Sequence, residues 1–138
     1  MTFHESFQPH EPVHTPMADP FDANLRNILI QICASQKLKF HESGTVVTID
    51  GPRFSTRAES KMFRLFGADI INMSVSTEVA LANEIGIPYA AVAMSTDYDC
   101  WKVDEEPVSW DAILEVFKDN ADKVTKLLLE AIPLIANK

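Results

Sequence analysis

The sequence predicts an α/β domain, on three observations. Short β-branched or apolar runs at 45–49, 69–73 and 88–94 alternate with stretches whose apolar residues recur at helical spacing. Gly67 and Gly86 stand where two of those helical stretches should stop. Polar clusters follow all three extended runs, and open α/β sheets bind ligands beyond the carboxyl ends of their strands.

Each element has its own local cause. Residues 1–18 hold three prolines and three histidines without sustained periodicity, so irregular backbone is expected there. Asp19 can cap a first helix with Pro20 at its first position; Leu25, Ile28, Leu29 and Ile32 share one face, and the helix should run to about Gln36. Thr45 to Ile49 is β-branched throughout and precedes the turn residues Asp50-Gly51-Pro52, which marks a strand. Thr56-Arg-Ala-Glu59 has the spacing of a capping box, in which hydroxyl and carboxylate satisfy donors at a helix start. That second helix should end at Gly67. Asp69 to Met73 is a second strand, followed by a helix over about Thr77 to Glu84. Pro88 to Met94 is apolar on both faces, as a covered central strand would be. The acidic stretch Ser95 to Pro107 belongs at the surface or around a cleft. Ser109 can cap a last, long amphipathic helix carrying Ile113, Leu114, Phe117, Val124, Leu127, Leu128 and Ile132. The three strands are expected in one sheet, and residues 1–138 in one domain.

Composition narrows the functions. A net charge of −8 disfavours nucleic acid and acidic membrane surfaces as partners. No stretch approaches the roughly 20 apolar residues of a membrane-spanning helix, so a cytoplasmic protein is expected. Cys33 and Cys100 lack CxxC or histidine-rich neighbours, which implies reduced thiols and no metal site. Nor do the four glycines form a GxGxxG or Walker pattern.

Three clusters remain for chemistry: Gly51-Pro-Arg-Phe-Ser-Thr56, Asn72-Met-Ser74 and Ser95-Thr-Asp-Tyr-Asp99. They offer an aromatic face, a thioether, hydroxyls, an amide and two carboxylates, an inventory suited to a planar heterocycle joined to a sugar. Taken singly, each residue has a plainer reading. Phe54, Met73, Trp110, Ile113 and Leu114 read as packing, Asp97 and Asp99 as a solvated loop, Ser74 as a helix cap and His14 as a loop residue.

As a series, Thr48-Ile-Asp-Gly-Pro-Arg-Phe-Ser-Thr-Arg-Ala-Glu59, Gly67-Ala-Asp-Ile-Ile-Asn-Met73, Glu78-Val79 and Thr96-Asp-Tyr-Asp-Cys-Trp101 resemble the signature motifs of methylthioadenosine phosphorylases. These belong to the trimeric class of nucleoside phosphorylases, and the likeness is to their C-terminal half, from about His14 to the last helix. It implies a partial nucleoside phosphorylase-like fold, a mixed central sheet flanked by helices with the N-terminal half absent. It also implies a role in purine and methionine salvage: phosphorolysis of 5′-methylthioadenosine to adenine and 5-methylthioribose-1-phosphate, with inorganic phosphate as co-substrate and no cofactor.

Residue by residue, the resemblance makes Asp97 the group that protonates purine N7 and Asp99 the acceptor from the 6-amino group. In extended backbone, residues two apart face one way, so both carboxylates would reach one edge of the base. Phe54 would pack on the purine with Ser55 nearby, Asn72 would line the base pocket, Met73 would lie under the ribose and Ser74 would touch phosphate. Trp110, Ile113 and Leu114 would enclose the methylthio group, and His14 would reach a neighbouring subunit of a homo-oligomer, a trimer in this class.

The sequence departs from the family pattern at several points. The Gly-Gly-Ser-Gly phosphate loop, the Arg-His pair and the Asn-Tyr-Arg segment of the N-terminal half do not occur, Ser74 stands where Thr is usual, and Val75-Ser-Thr77 replaces Thr-Val-Pro. A fragment, a truncated product or one chain of a split enzyme, needing its N-terminal half as partner, is therefore expected. Two other readings stay open: a purine nucleoside or methylthioinosine phosphorylase, and an inactive nucleoside-binding or oligomerisation module.

Overall fold

The computed structural model describes residues 3, 14–102, 104 and 110–137. In order, the elements are α1 (Ala23–Ser35), β1 (Val46–Thr48), α2 (Arg57–Leu65), β2 (Ile70–Asn72), α3 (Val75–Glu84) and α4 (Trp110–Ala136). Strands β1 and β2 pair in parallel, Val46 opposite Ile70 and Thr48 opposite Asn72, and α2 makes the crossover between them. This βαβ unit ends both strands at the same edge, so the loops after Thr48 and Asn72 are neighbours.

Helix α1 packs along α4, and their contact is the core: Ile28, Ile32, Leu127 and Ala131 are buried, with Leu29, Cys33 and Leu38 against them. Helix α4 runs unbroken through Pro133. The capping box at Thr56 and Glu59 forms as the spacing predicts. Helices α2 and α3 stop at glycines whose φ values, 80° for Gly67 and 71° for Gly86, lie where a side chain would be strained.

Two expectations are corrected. The first helix is capped by Asp22, whose carboxylate accepts from Leu25 N at 2.8 Å, and Asp19 lies outside it. The cause is tertiary: Asp22 N donates to Tyr89 O at 2.8 Å and Asn83 Nδ2 to Pro20 O at 2.9 Å, which pins residues 20–22 against the end of α3 and moves the helix start inward. The run Pro88 to Met94 joins no ladder with β1 or β2, and the sheet has two strands among the described residues. A strand exists only through partners, and here Tyr89 O is taken by the α1 cap while Ala91, Val92 and Ala93 are exposed. The proposed Ser109 cap and most of residues 1–18 and 103–109 lie outside the described residues; His14 to Ala18 are neither helix nor strand.

Candidate functional site

The shared edge of β1 and β2 assembles the candidate site. A Cβ built on Gly51 would lie 2.6 Å from Met73 Sδ, so the loop after β1 lies directly on the first side chain after β2. Residues 95–101 join this pair through Cys100, whose thiol donates to Ser55 O at 3.4 Å. Of the sequence-predicted residues, Phe54, Ser55, Met73 and the Asp97–Asp99 segment are thus linked through one chain of contacts.

Phe54 is 50% exposed and Met73 40%, so neither is the core residue that its side chain alone suggests. Above the loop, Tyr98 meets Trp101 edge to face, and the Arg64 guanidinium sits 3.7 Å from the Trp101 ring centre, which ties residues 98–101 to α2.

Asn72 turns inward. Its Oδ1 accepts from Thr48 Oγ1 at 2.8 Å and from the amides of Ser74 and Val75, both at 3.3 Å, while Thr48 Oγ1 accepts from Ser76 N at 3.1 Å. The first amides of α3 are therefore satisfied by the two strand ends and are not presented to an anion, as an open helix N-terminus would present them. Ser74 is exposed and makes no side-chain cap, so the capping reading of this serine gives way to Asn72. Glu78, one turn on, is held below the usual carboxylate range, first by the Tyr89 hydroxyl and then by that of Ser74.

The acidic pair is not symmetric. Asp97 is exposed; its Oδ1 accepts from Thr96 Oγ1 at 2.6 Å and its Oδ2 from Asp99 N at 3.0 Å. Asp99 has φ 58°, so the extended backbone assumed for this pair ends there and the chain turns. Asp99 Oδ2 is buried and has no hydrogen-bond partner among the described residues.

Ile113 is half-buried and Leu114 is 37% exposed on the first turns of α4, whose main contact is α1; Trp110 begins that helix. His14 is exposed. Sequence reasoning missed Thr48, Arg53 and Cys100. Thr48 could have been found as the last inward residue of a strand facing a helix start; a thiol bonded to a carbonyl 45 residues away leaves no local signal.

The Phosphorylase superfamily model matches residues 2–133. S-methyl-5′-thioadenosine phosphorylase of Xenopus tropicalis is 57% identical over 123 residues, covering 89% of this chain and 44% of the relative. That of Danio rerio is 51% identical over 137 residues, covering 97% and 49%. Among solved structures, a variant of the Schistosoma mansoni adenosine/methylthioadenosine phosphorylase in complex with adenine superposes with a TM-score of 0.87 at 41% identity, over 92% of this chain and 50% of that one. Another variant of the same enzyme, in complex with methylthioadenosine, gives 0.84 at 40% identity. The chain spans about half the length of the relatives it matches.

Proposed function

The chain belongs to the phosphorylase superfamily, and from that premise we propose that it carries the purine- and ribose-facing side of a site for phosphorolysis of 5′-methylthioadenosine, giving adenine and 5-methylthioribose-1-phosphate. The observation that carries the reading is the convergence at the strand ends: an open aromatic ring, an open thioether and a buried carboxylate oxygen without a donor among the described residues, on three segments in contact. The half-open faces suit a ring and a sugar, and the shielded oxygen suits a donor such as an exocyclic amine.

Breaking the N-glycosidic bond leaves negative charge on the purine, which a carboxylic acid at N7 neutralises as the bond lengthens. Asp97 takes that role, giving up its bond to Thr96 or to the Asp99 amide as the base arrives, and Asp99 accepts from the 6-amino group. Phe54 covers the ring with Ser55 beside it, Met73 lies under the ribose, and Asn72 holds the β2 end in place. Ile113, Leu114 and Trp110 wall the methylthio group. Ser74 is one contact of inorganic phosphate, and no further cofactor is needed.

The rest of the phosphate site comes from a partner, the other half of a phosphorylase fold, within a homo-oligomer that His14 helps to join. The apolar residues exposed on α4, Leu129 and Ile132 at 66% and 61%, favour such covering. Both cysteines are free thiols, which suits a cytoplasmic setting, and among the described residues no helix is long and apolar enough to cross a membrane.

The test is a pair of substitutions in the assembled enzyme. Asp97→Asn will lower kcat by roughly a hundredfold or more while adenine affinity changes little. Asp99→Asn will shift preference toward 6-oxopurines. Equal loss of turnover and affinity for the first, or an unchanged base preference for the second, refutes the respective assignment.

A further inference from the structure

Phe54 is half exposed, so packing does little to hold its ring, yet its carbonyl is held by Arg53, which is itself bridged to Glu59. Arg53 Nη1 donates to Phe54 O at 3.1 Å and to Glu59 Oε2 at 2.8 Å, and Arg53 Nη2 donates to Glu59 Oε1 at 2.7 Å. Glu59 Oε2 also accepts from the amide and the hydroxyl of Thr56, each at 2.8 Å. The carbonyl before Ser55 is therefore fastened to Arg53 and the amide after it to Glu59, the partner of Arg53 on the first turn of α2, and Ser55 O takes the Cys100 thiol besides.

We propose that Arg53, bridged to Glu59, is a positioning residue that fixes the backbone of Phe54 and Ser55 and so presents the Phe54 ring in one orientation to a nucleoside base. The proposal rests on the reading that Phe54 packs on the purine. Its physical content is preorganisation. An exposed aromatic loop left free would be ordered at the moment of binding, at the expense of affinity; a loop ordered by the fold is not. The guanidinium suits the task because its planar fork reaches two carboxylate oxygens and a carbonyl together, which an ammonium on a flexible stem does not. The pair is also well placed to act on binding without governing stability. The Arg53 side chain is 52% exposed, and exposed ion pairs contribute little to folding. Substituting Arg53 leaves the Thr56–Glu59 capping box intact, which separates the clamp from the helix start.

The test compares Arg53→Met, Arg53→Lys and Phe54→Ala in the intact enzyme. Arg53→Met is expected to raise KM for methylthioadenosine roughly five- to tenfold with kcat nearly unchanged, and to speed amide exchange at Ser55 and Thr56 about tenfold or more. The α2 amides and the melting temperature stay close to the parent's, and Arg53→Lys falls between. An unchanged KM with faster exchange, or unchanged exchange, overturns the positioning role. If Phe54→Ala raises KM and Arg53→Met does not, the proposal fails while the purine-packing reading stands; if neither raises it, that reading fails and the proposal with it.

Discussion

Met73 Sδ occupies the space that a side chain on Gly51 would need: a Cβ at position 51 would lie 2.6 Å from the sulfur and 3.4 Å from Met73 Cγ. Glycine is required here by a close approach and not by its backbone angles. The neighbour is the far end of a flexible chain, so Gly51→Ala will displace the thioether at a stability cost under about 1 kcal/mol. If Met73 underlies the sugar, that displacement will raise KM for the nucleoside by roughly three- to tenfold. Urea melts and steady-state kinetics on the same preparation check both parts. A large loss of stability with unchanged KM would mean that the pair is only structural.

Asn72 and Ser74 are expected to separate stability from ligand contact. Asn72→Ala removes the acceptor for Thr48 Oγ1 and for two amides at the start of α3, and will destabilise the protein by about 1–2 kcal/mol, the usual cost of losing a helix cap. Ser74→Ala removes no cap bond and will stay within about 0.5 kcal/mol of the parent, while phosphate affinity falls. Chemical denaturation measures the first pair of values and phosphate KM the second. The reverse order of stabilities would contradict the capping assignment.

The bridge from Glu59 to Arg53 makes acid stability informative. Arg53's hydrogen bonds first, and then those of Thr56, hold the Glu59 carboxyl at about 2, against an ordinary value of 4.5. Because the folded value is the lower one, the carboxylate contributes stability that is complete above about pH 4.5 and is lost as pH falls through about 2. Parent and Glu59→Gln should therefore show their full difference in Tm above pH 4.5 and a closing gap below it. A gap that stays constant down to pH 2 would show that the bridge does not form.

How far the sequence foretells this structure depends on how local each cause is. The capping box at Thr56, the stops at Gly67 and Gly86 and the β-branched run at 46–48 are determined within a few residues, and each appears where its pattern lies. The cap of α1 slid from Asp19 to Asp22 because Tyr89 O and Asn83, more than 60 residues away, hold the chain just ahead of it. Pro88 to Met94 has the composition of a central strand, but a ladder is a property of neighbours, and β1 and β2 do not supply them. In the candidate site, the motif series pointed to residues that the fold gathers at the strand ends, Phe54, Ser55 and Met73 among them. The division of labour was not legible in it: Asn72 satisfying a helix start, Asp97 bonded within its own loop and Asp99 in a left-handed turn all depend on backbone geometry that a motif does not encode.

Tyr89 supplies the alkaline counterpart. Burial first, and then its bond to Glu78, raise its phenol to about 12 from an ordinary 10. The folded value is the higher one, so the neutral phenol's contribution is complete below pH 10 and is lost as pH rises toward and through 12, because the unfolded chain ionises first. Tyr89→Phe lacks the ionising group and lacks that loss. The Tm of the parent should exceed that of Tyr89→Phe near neutrality, where the bond to Glu78 is intact, and the two should converge between pH 10 and 12. Ultraviolet titration of the folded protein gives an independent reading, since Tyr89→Phe should remove a phenolate transition near pH 12. If the Tm difference holds steady across that range, or the lost transition lies near 10, then Tyr89 is not shielded between Phe21 and Glu78. The anchor that joins the strand-end site to the helical core through Glu78, Tyr89 and Asp22 would then have to be abandoned.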